Sequence, residues 1–259
     1  MKIVTDLSIT SWRKPGGKPW NPQQLFQAAE GAWYDPSTAS SLWQDVAGTV
    51  PAIAGQPVAR IDDLSGNGHH CVQPTLAARP TLTADSQGRP CLEFDGVDDI
   101  LRAPFAFDHT FATFSLGYQT TVSGENGGMA FGVGSSSGGR FYLQTSFGST
   151  RFLRQPQDGS NLSLGGLPAD VLQVASVRIG PGPDDFLARA NGGLIGWHGA
   201  NAQQMNLANR HIQIGARIPG SMHSAMLFYG GVYLVGALSD TELEQIEAFL
   251  ATRAGVALP

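Results

Sequence analysis

The sequence is poor in charged residues, which occupy 14% of its 259 positions, whereas about 25% is usual for soluble domains. It has no uninterrupted apolar run of about 18 residues, so it predicts no membrane-spanning helix and no membrane insertion. The first seven residues lack the apolar core of a secretory signal peptide, which predicts synthesis in a cytoplasm. Turn-forming residues are abundant instead, with 33 glycines and 16 prolines, and this composition favours an all-β chain.

Lysine is scarcer still, and its distribution divides the chain. All three lysines lie within the first 18 residues, and the first 20 residues carry a formal charge of +3. The other 239 residues carry 12 arginines against 20 acidic groups, a formal charge of −8. A basic head on an acidic body suggests a separate role for the head. The acidic body offers no basic stripe, so we expect no nucleic-acid partner.

The head corresponds to a predicted extended arm, residues 1–23. Pro15, Pro19 and a glycine pair between them exclude a helix there. Two tryptophans flank three cations, a pattern typical of a peptide that docks on a partner through aromatic anchors and ion pairs. The predicted docking residues are Trp12, Arg13, Lys14, Lys18 and Trp20. The alternative is a solvated terminal tail.

The remaining residues, 24–259, are predicted to form one domain of short strands with a C-terminal helix at 239–254. Ser239 and Glu242 make a capping box, and Gly255 ends the helix. Asn191 and Gly192 stand between two apolar runs and predict a tight hairpin. Residues 96–99 predict a turn between two strands, and residues 111–118 alternate as expected of a strand with one buried face.

Cysteine is limited to Cys71 and Cys91, which lie 20 residues apart in two predicted strands. We hypothesise that the two residues face each other closely enough to form a disulfide once the protein meets oxidising conditions. The alternative is a pair of buried free thiols, the usual state in a cytoplasm.

Catalytic motifs are weak or missing, so the sequence predicts no enzyme. A glycan-cleaving jelly roll needs two or three carboxylates along one strand, and the six glutamates show no such pattern. Residues 134–138 fit the G-x-S-x-G pattern, but they lie in a Gly/Ser-rich loop and not in a strand-to-helix turn. His69 and His70 are adjacent in an extended segment and point to opposite faces, which argues against a shared metal.

Several sequence blocks carry a family resemblance. They read Gly-Ala-Trp-Tyr-Asp-Pro-Ser at 31–37, Leu-Trp-Gln-Asp-Val-Ala-Gly-Thr at 42–49, Asp-Leu-Ser-Gly-Asn-Gly-His-His at 63–70, Ala-Arg-Pro-Thr-Leu at 78–82 and Cys-Leu-Glu-Phe-Asp-Gly-Val-Asp-Asp at 91–99. The segment 236–243, followed by 248–255, is similar to the short helix that closes the same domains. Together these blocks resemble the laminin-G / concanavalin A-like jelly-roll domains of bacteriophage virion proteins.

The resemblance implies a two-sheet antiparallel jelly-roll sandwich. It also implies a structural virion component, in the capsid or tail, whose arm contacts other virion proteins and whose lectin-like domain faces outward, with a homo-oligomer as the expected assembly. A glycan-binding receptor module for host surface polysaccharide is the alternative function, and a glycan-cleaving enzyme is a further one. Trp33 and Trp197 are core residues or sugar-stacking platforms in that reading.

The resemblance further implies calcium as the one candidate cofactor, since domains of this type often bind one calcium ion. Calcium prefers several oxygen ligands from carboxylates, amides and carbonyls. The candidate ligands are Asp63, Asn67, Asp95, Asp98 and Asp99. The alternative is that these are turn residues whose side chains satisfy local backbone N–H groups.

Overall fold

The computed structural model describes residues 20–105, 111–120, 128–134, 140–146, 149–155, 162–168, 170–180, 186–198, 210–217 and 222–259. Within these ranges the chain forms two antiparallel sheets, of eight and nine strands, and one α-helix. The predicted all-β sandwich with a C-terminal helix is confirmed. No described helix is long and apolar enough to cross a membrane.

Sheet A contains eight strands. They are β1 (Gly31–Tyr34), β5 (Thr81–Ala84), β6 (Pro90–Asp95), β8 (Ala112–Thr120), β13 (Gln173–Ile179), β14 (Phe186–Ala190), β15 (Gly193–His198) and β17 (Ala225–Val235). Their order is β15-β14-β13-β8-β17-β6-β5, and β1 pairs with the second half of β17. The long strand β17 is therefore the centre of this sheet.

Sheet B contains nine strands. They are β2 (Leu42–Trp43), β3 (Arg60–Ile61), β4 (Cys71–Val72), β7 (Leu101–Phe105), β9 (Met129–Gly134), β10 (Arg140–Ser146), β11 (Ser149–Gln155), β12 (Leu162–Pro168) and β16 (Arg210–Ile214). Their order is β12-β11-β10-β9-β16-β7-β4-β3-β2. Three strands at one edge, β2 to β4, are only two residues long.

The main core lies between the two sheets and is rich in aromatic rings. Phe114 of sheet A meets Phe131 of sheet B edge to face, with ring centroids 5.9 Å apart. Phe105 of sheet B meets Tyr233 of sheet A in the same way at 5.6 Å. Such edge-to-face pairs place the positive edge of one ring on the negative face of the other. They fix the two sheets against each other.

The predicted turn at 96–99 is present, and it has a further role. Its flanking strands, β6 and β7, belong to different sheets, so this turn carries the chain across the sandwich. Gly96 has a φ of 78°, which a residue with a side chain rarely adopts. The Asp95 carboxylate accepts the backbone N–H of Val97 at 2.7 Å.

The predicted hairpin between β14 and β15 is confirmed. Asn191 and Gly192 have φ values of 49° and 79°, as a type I′ turn requires at both central positions. Asn191 Oδ1 also accepts the backbone N–H of Val174 at 2.8 Å. The turn residue therefore links the hairpin to the neighbouring strand β13.

The helix α1 (Asp240–Ala254) begins after Ser239, whose capping box with Glu242 is complete, and ends at Gly255 with a φ of 70°. It packs on the outer side of sheet A, against β8, β13 and β17. Gly117 permits this approach, because a Cβ there would lie 3.3 Å from the Cβ of Ala254. The prediction that β8 has one buried face is wrong: the strand is buried on both faces, because α1 covers the side that faces away from the core.

Short 3-10 helices complete the secondary structure of the described residues: Pro22–Gln27, Ala39–Ser41 and Leu76–Ala78. The first is capped by Asn21, whose side chain accepts the N–H of Gln23 at 3.0 Å. It packs Phe26 into an apolar cluster beneath α1, where Leu250 also lies. The segment before β1 is therefore part of the domain from residue 20 onward.

The cysteines do not face each other, which corrects the disulfide hypothesis. Both Cys71 and Cys91 are buried and free. Cys71 lies on β4 of sheet B, in the core between the sheets. Cys91 lies on β6 of sheet A, on the opposite side of that sheet, against Tyr229 and Ala254. Sheet A separates the two thiols because neighbouring residues on β6 point to opposite faces.

Candidate functional site

One face of sheet B carries a row of side chains that point away from the core. Strand pairing places the five members of this row, which we call the outer row, directly opposite one another: Trp43, Arg60, Val72, Arg102 and Gln213. Their chain neighbours Leu42, Ile61 and Cys71 lie in the core, and adjacent residues on a strand point to opposite faces. Trp43 and Arg102 stand three strand spacings apart, about 14 Å.

A carboxylate organises one end of the outer row. Asp62 Oδ2 accepts the indole N–H of Trp43 at 2.7 Å, and Asp62 Oδ1 accepts Nε of Arg60 at 2.6 Å. Nδ1 of His70 lies 3.0 Å from the same Oδ1. The side chains of Arg60, Asp62 and His70 are 21%, 20% and 36% exposed. These four residues, the Asp62 cluster, are thus held in place while still reaching solvent.

The His70 ring has two partners for one nitrogen. The backbone N–H of Asp63 donates to Nδ1 at 3.1 Å, and Asp62 Oδ1 lies on the same nitrogen. A neutral ring accepts from the backbone through Nδ1, whereas a protonated ring donates from Nδ1 to the carboxylate. The Asp63 backbone N–H and the Asp62 carboxylate therefore compete for the same ring nitrogen.

The loop at 44–51 lies beside Trp43 and is internally braced. Asp45 Oδ1 accepts the backbone N–H groups of Val50 and Thr49 at 2.8 and 2.9 Å, and Oδ2 accepts the Thr49 hydroxyl at 2.8 Å. The hydrogen bond from Val50, followed by that from the Thr49 hydroxyl, lowers the pKa of the Asp45 carboxyl. The loop exposes Val46 and Val50, with 38% and 48% of their surface accessible.

Arg102 is the fourth of the five members of the outer row and is exposed. Its strand alternates, with Leu101, Ala103 and Phe105 buried in the core. His211 of β16 lies diagonally across from it, on the same outward face. Burial, and then the positive charge of Arg102, lowers the pKa of the His211 imidazole. Both effects favour the neutral imidazole.

None of these residues was predicted as a site from the sequence. Trp43 stood in a block that carried the family resemblance, and its neighbours showed no motif. Strands of two residues are too short to show an alternating pattern.

The predicted calcium ligands fall into two separate places. Asp63 lies in a buried turn where four donors use its carboxylate: the N–H groups of Trp33, Ser65 and His69, and the hydroxyl of Ser65. The side-chain amide of Asn67 donates to the carbonyls of residues 29 and 31. This arrangement matches the turn-residue alternative, in which the side chains satisfy local backbone groups.

Asp95, Asp98 and Asp99 do come together. One carboxylate oxygen from each lies within 4.8 Å of the others, and Asp63 is not in this group. Burial, and then the charges of Asp95 and Asp98, raises the pKa of Asp99 to about 6, although a backbone hydrogen bond from Asp95 opposes the rise. Three clustered carboxylates have the ligand chemistry that calcium prefers. Calcium at this turn remains a prediction.

The predicted docking arm lies almost wholly outside the described residues, including Trp12, Arg13, Lys14 and Lys18. Its last member, Trp20, packs edge to face on Phe249 of α1, with ring centroids 6.3 Å apart. Trp33 also packs edge to face on the Phe249 ring, with ring centroids 5.6 Å apart. Trp20 thus packs on the chain's own helix and is partly exposed, and its role as an anchor for a partner stays a prediction.

Other sequence candidates are dispersed. The serines of the G-x-S-x-G pattern all lie outside the described residues. Glu30 precedes β1 near His69, and Glu93 is exposed on β6. The His69 ring packs on Phe105 at 4.8 Å, whereas His70 joins the Asp62 cluster, so the two histidines have different surroundings as predicted.

No family model matches the sequence, and no curated protein matches it. Solved structures do match the fold. Domain 4 of AbnA, an extracellular arabinanase from Geobacillus stearothermophilus solved with arabinotriose, is 14% identical with a TM-score of 0.60, and the match covers 85% of this chain and 98% of that one.

Two further structures are similar. The binding domain of Paraclostridial Mosquitocidal Protein 1 is 13% identical with a TM-score of 0.56, over 81% of this chain and 51% of that one. Trypanosoma rangeli sialidase, solved with sialic acid, is 13% identical with a TM-score of 0.55, over 86% of this chain and 33% of that one. The chain thus spans about half of the first and a third of the second. These likenesses show a shared β-sandwich fold.

Proposed function

We propose that this chain is a carbohydrate-binding domain whose ligand lies along the outer row of sheet B. The observation that carries the proposal is the Asp62 cluster, in which a tryptophan, an arginine and a histidine surround one carboxylate at a partly exposed surface. Binding sites of this kind combine apolar or aromatic surface with a few fixed polar groups.

The chemistry of the cluster suits a sugar. An indole ring covers the apolar face of a pyranose or furanose, and its N–H is already satisfied by Asp62. Sugar hydroxyls both donate and accept, and the carboxylate, guanidinium and imidazole supply acceptors and donors within one small area. Because hydrogen bonds fix these side chains before the ligand arrives, little ordering is needed on binding.

The comparisons with solved structures support the same function, because two of the similar proteins were solved with sugars. The similar arabinanase domain was solved with arabinotriose, and the similar sialidase with sialic acid. Their fold is therefore compatible with sugar ligands.

The test is a panel of neutral and acidic oligosaccharides and polysaccharides offered to the purified chain, with affinities measured by calorimetry. Trp43→Ala removes the aromatic surface, and truncating such an anchor costs about 2 kcal/mol or more, a fall in affinity of about 30-fold. Leu194→Ala is the matched control, since it removes an exposed apolar side chain from sheet A. Absence of binding across the panel, or equal affinity for Trp43→Ala and wild type, contradicts the proposal.

The structural virion role remains a second candidate, supported by the resemblance of the sequence blocks to bacteriophage virion domains. It predicts a fixed copy number of this chain in purified particles, which quantitative mass spectrometry measures. Glycan cleavage is distinguished in the binding panel itself, because an enzyme shortens the polysaccharide and a binding domain leaves its length unchanged. Absence from particles removes the virion role and leaves the binding proposal intact.

A further inference from the structure

The two sheets differ sharply in charge. The nine strands of sheet B contain no aspartate or glutamate, and they contain six arginines: Arg60, Arg102, Arg140, Arg151, Arg154 and Arg210. The acidic residues of the regular elements lie instead on β6 and α1: Glu93, Asp95, Asp240, Glu242, Glu244 and Glu247. A chain with a net charge of −5 therefore carries one sheet whose only formal charges are positive.

Most arginines with described side chains already have partners. Arg178, Arg189 and Arg253 bind carboxylates around α1. Arg60 and Arg89 pair with Asp62 and Asp85 in the same way. Arg79 donates to three backbone carbonyls. Each of these guanidinium groups therefore already has a partner within the fold.

Arg102 differs from them. It is exposed on the outer row, and among the described residues it has no hydrogen bond and no ion pair. Its neighbours across the strands carry no charge: Val72 is partly exposed, whereas Gln213 is buried and donates to the carbonyl of Gly134. Within the part of the chain that the structure describes, this exposed guanidinium is therefore a fork of N–H donors without a partner.

The surroundings of Arg102 favour an oxyanion. His211 lies diagonally beside it on the same face and adds a second hydrogen-bonding group, and burial, then the Arg102 charge, lowers the pKa of its imidazole. Among the described residues, the Asp62 carboxylate beside the outer row is engaged by Trp43, Arg60 and His70, and the carboxylates of Asp95, Asp98 and Asp99 lie together in the turn before β7. A planar guanidinium binds a carboxylate or sulfate through two parallel hydrogen bonds.

We propose that Arg102 binds the oxyanion of an acidic polysaccharide, a carboxylate or a sulfate ester, while the Asp62 cluster holds another unit of the same chain. This inference rests on the proposed carbohydrate-binding function. It adds the substrate class, because the separation of about 14 Å between Trp43 and Arg102 requires an extended, repeating ligand.

The experiment measures affinity for polygalacturonate, which carries carboxylates, for a sulfated dextran, which carries sulfate esters, and for unmodified dextran and arabinan, which are neutral. Arg102→Gln is expected to weaken binding to the acidic polymers about tenfold or more, since a charge-assisted hydrogen bond is lost. Arg102→Lys keeps the charge but loses the fork, so it restores part of the affinity. Comparison of the two acidic polymers identifies the preferred oxyanion.

The matched control is Arg178→Gln, which removes the same charge from sheet A, where the partner Asp240 is 71% exposed. Its affinity for acidic polymers should equal that of the wild type. An equal loss in both variants overturns the contact, because only net charge would then matter. Binding confined to the neutral polymers and sensitive to Trp43→Ala overturns the acidic substrate class and keeps the carbohydrate-binding function. Thermal melting of each variant confirms that it is folded.

Discussion

Nε of Arg253 donates to Oδ2 of Asp35 at 2.9 Å, across 218 positions of sequence. Asp35 follows β1 and is buried, and its other oxygen accepts the N–H and hydroxyl of Ser37 at 2.9 and 2.6 Å. The guanidinium also lies over the ring of Phe249, 4.6 Å from its centroid. This contact joins the first strand of the sandwich to the last helix.

Arg253→Ala is expected to lower the free energy of unfolding by about 1–3 kcal/mol, because it leaves the Asp35 carboxylate buried without its cation. Urea titration followed by fluorescence measures the change. Gln245→Ala, on the exposed side of the same helix, is the control and should leave stability nearly unaltered. A similar result for both variants would show that the ion pair does not stabilise the helix.

Stability should also depend on pH through Asp99. Its folded pKa is raised to about 6, above the unfolded value of about 3.9, so the folded state holds the proton more tightly. The resulting stability is fully present below about pH 4 and is lost as pH rises through 6. Asp99→Asn keeps an acceptor for the N–H of Asp95 and should melt at a higher temperature than wild type at pH 7.5, but not at pH 4. A lower melting temperature at pH 7.5 contradicts this account.

Calcium should stabilise the same turn by neutralising Asp95, Asp98 and Asp99. Millimolar calcium is expected to raise the melting temperature at pH 7.5, and a chelator to lower it, because a ligand of the folded state stabilises by mass action. Asp98→Asn should reduce the shift, whereas Asp170→Asn, an exposed acid outside the group, should not. If calcium leaves the wild-type melting curve in place, the turn binds no calcium.

The thiols should be unreactive in the folded protein. Burial raises the pKa of Cys91 to about 12 and that of Cys71 further, and the thiolate is the reactive form. We expect both thiols to be alkylated in denaturant, whether or not a reductant is present, and neither to be alkylated in the folded protein. Intact mass spectrometry measures the number of alkyl groups added. A species lighter by two hydrogens before reduction would indicate a disulfide and a different arrangement of β4 and β6.

The arm prediction separates into two parts at Trp20. Removing residues 1–19 should leave the melting temperature nearly unchanged and abolish assembly into the particle or oligomer. Trp12→Ala should weaken that assembly to a smaller extent. Trp20→Ala should instead lower the free energy of unfolding by about 1–2 kcal/mol, since a partly buried ring is lost from Phe249. Melting curves and sedimentation measure the two effects. Normal assembly of the truncated chain would make the arm a solvated tail.

Local chemistry was predictable from the sequence. The capping box of Ser239 and Glu242 and the turn at Asn191 and Gly192 depend on residues at most three positions apart, and both are present. The burial of β8 on both faces was not predictable, because it results from a helix that lies more than a hundred residues further along the chain.

The candidate site was not predictable from the sequence either, because it depends on residues that are distant along the chain. Trp43, Arg60 and Arg102 become neighbours only through the pairing of β2, β3, β4 and β7, and no short motif encodes that pairing. The calcium ligands were hard to predict for another reason, because Asp63 and Asp99 both stand in similar turn sequences. The Asp63 carboxylate accepts hydrogen bonds from nearby groups, whereas Asp99 lies beside the like charges of Asp95 and Asp98.

The helix α1 brings both described ends of the chain to one side of the sandwich. Trp20 rests on Phe249, and Pro259 lies beside the β14–β15 hairpin, 3.1 Å from where a Cβ of Gly192 would stand. Both positions belong to the sheet A side, whereas Trp43 and Arg102 point outward from sheet B. A support or a fused protein attached at residue 259 would therefore hold the domain with its outer row turned toward the surrounding solution, in a fixed polarity that suits immobilised capture of polysaccharide.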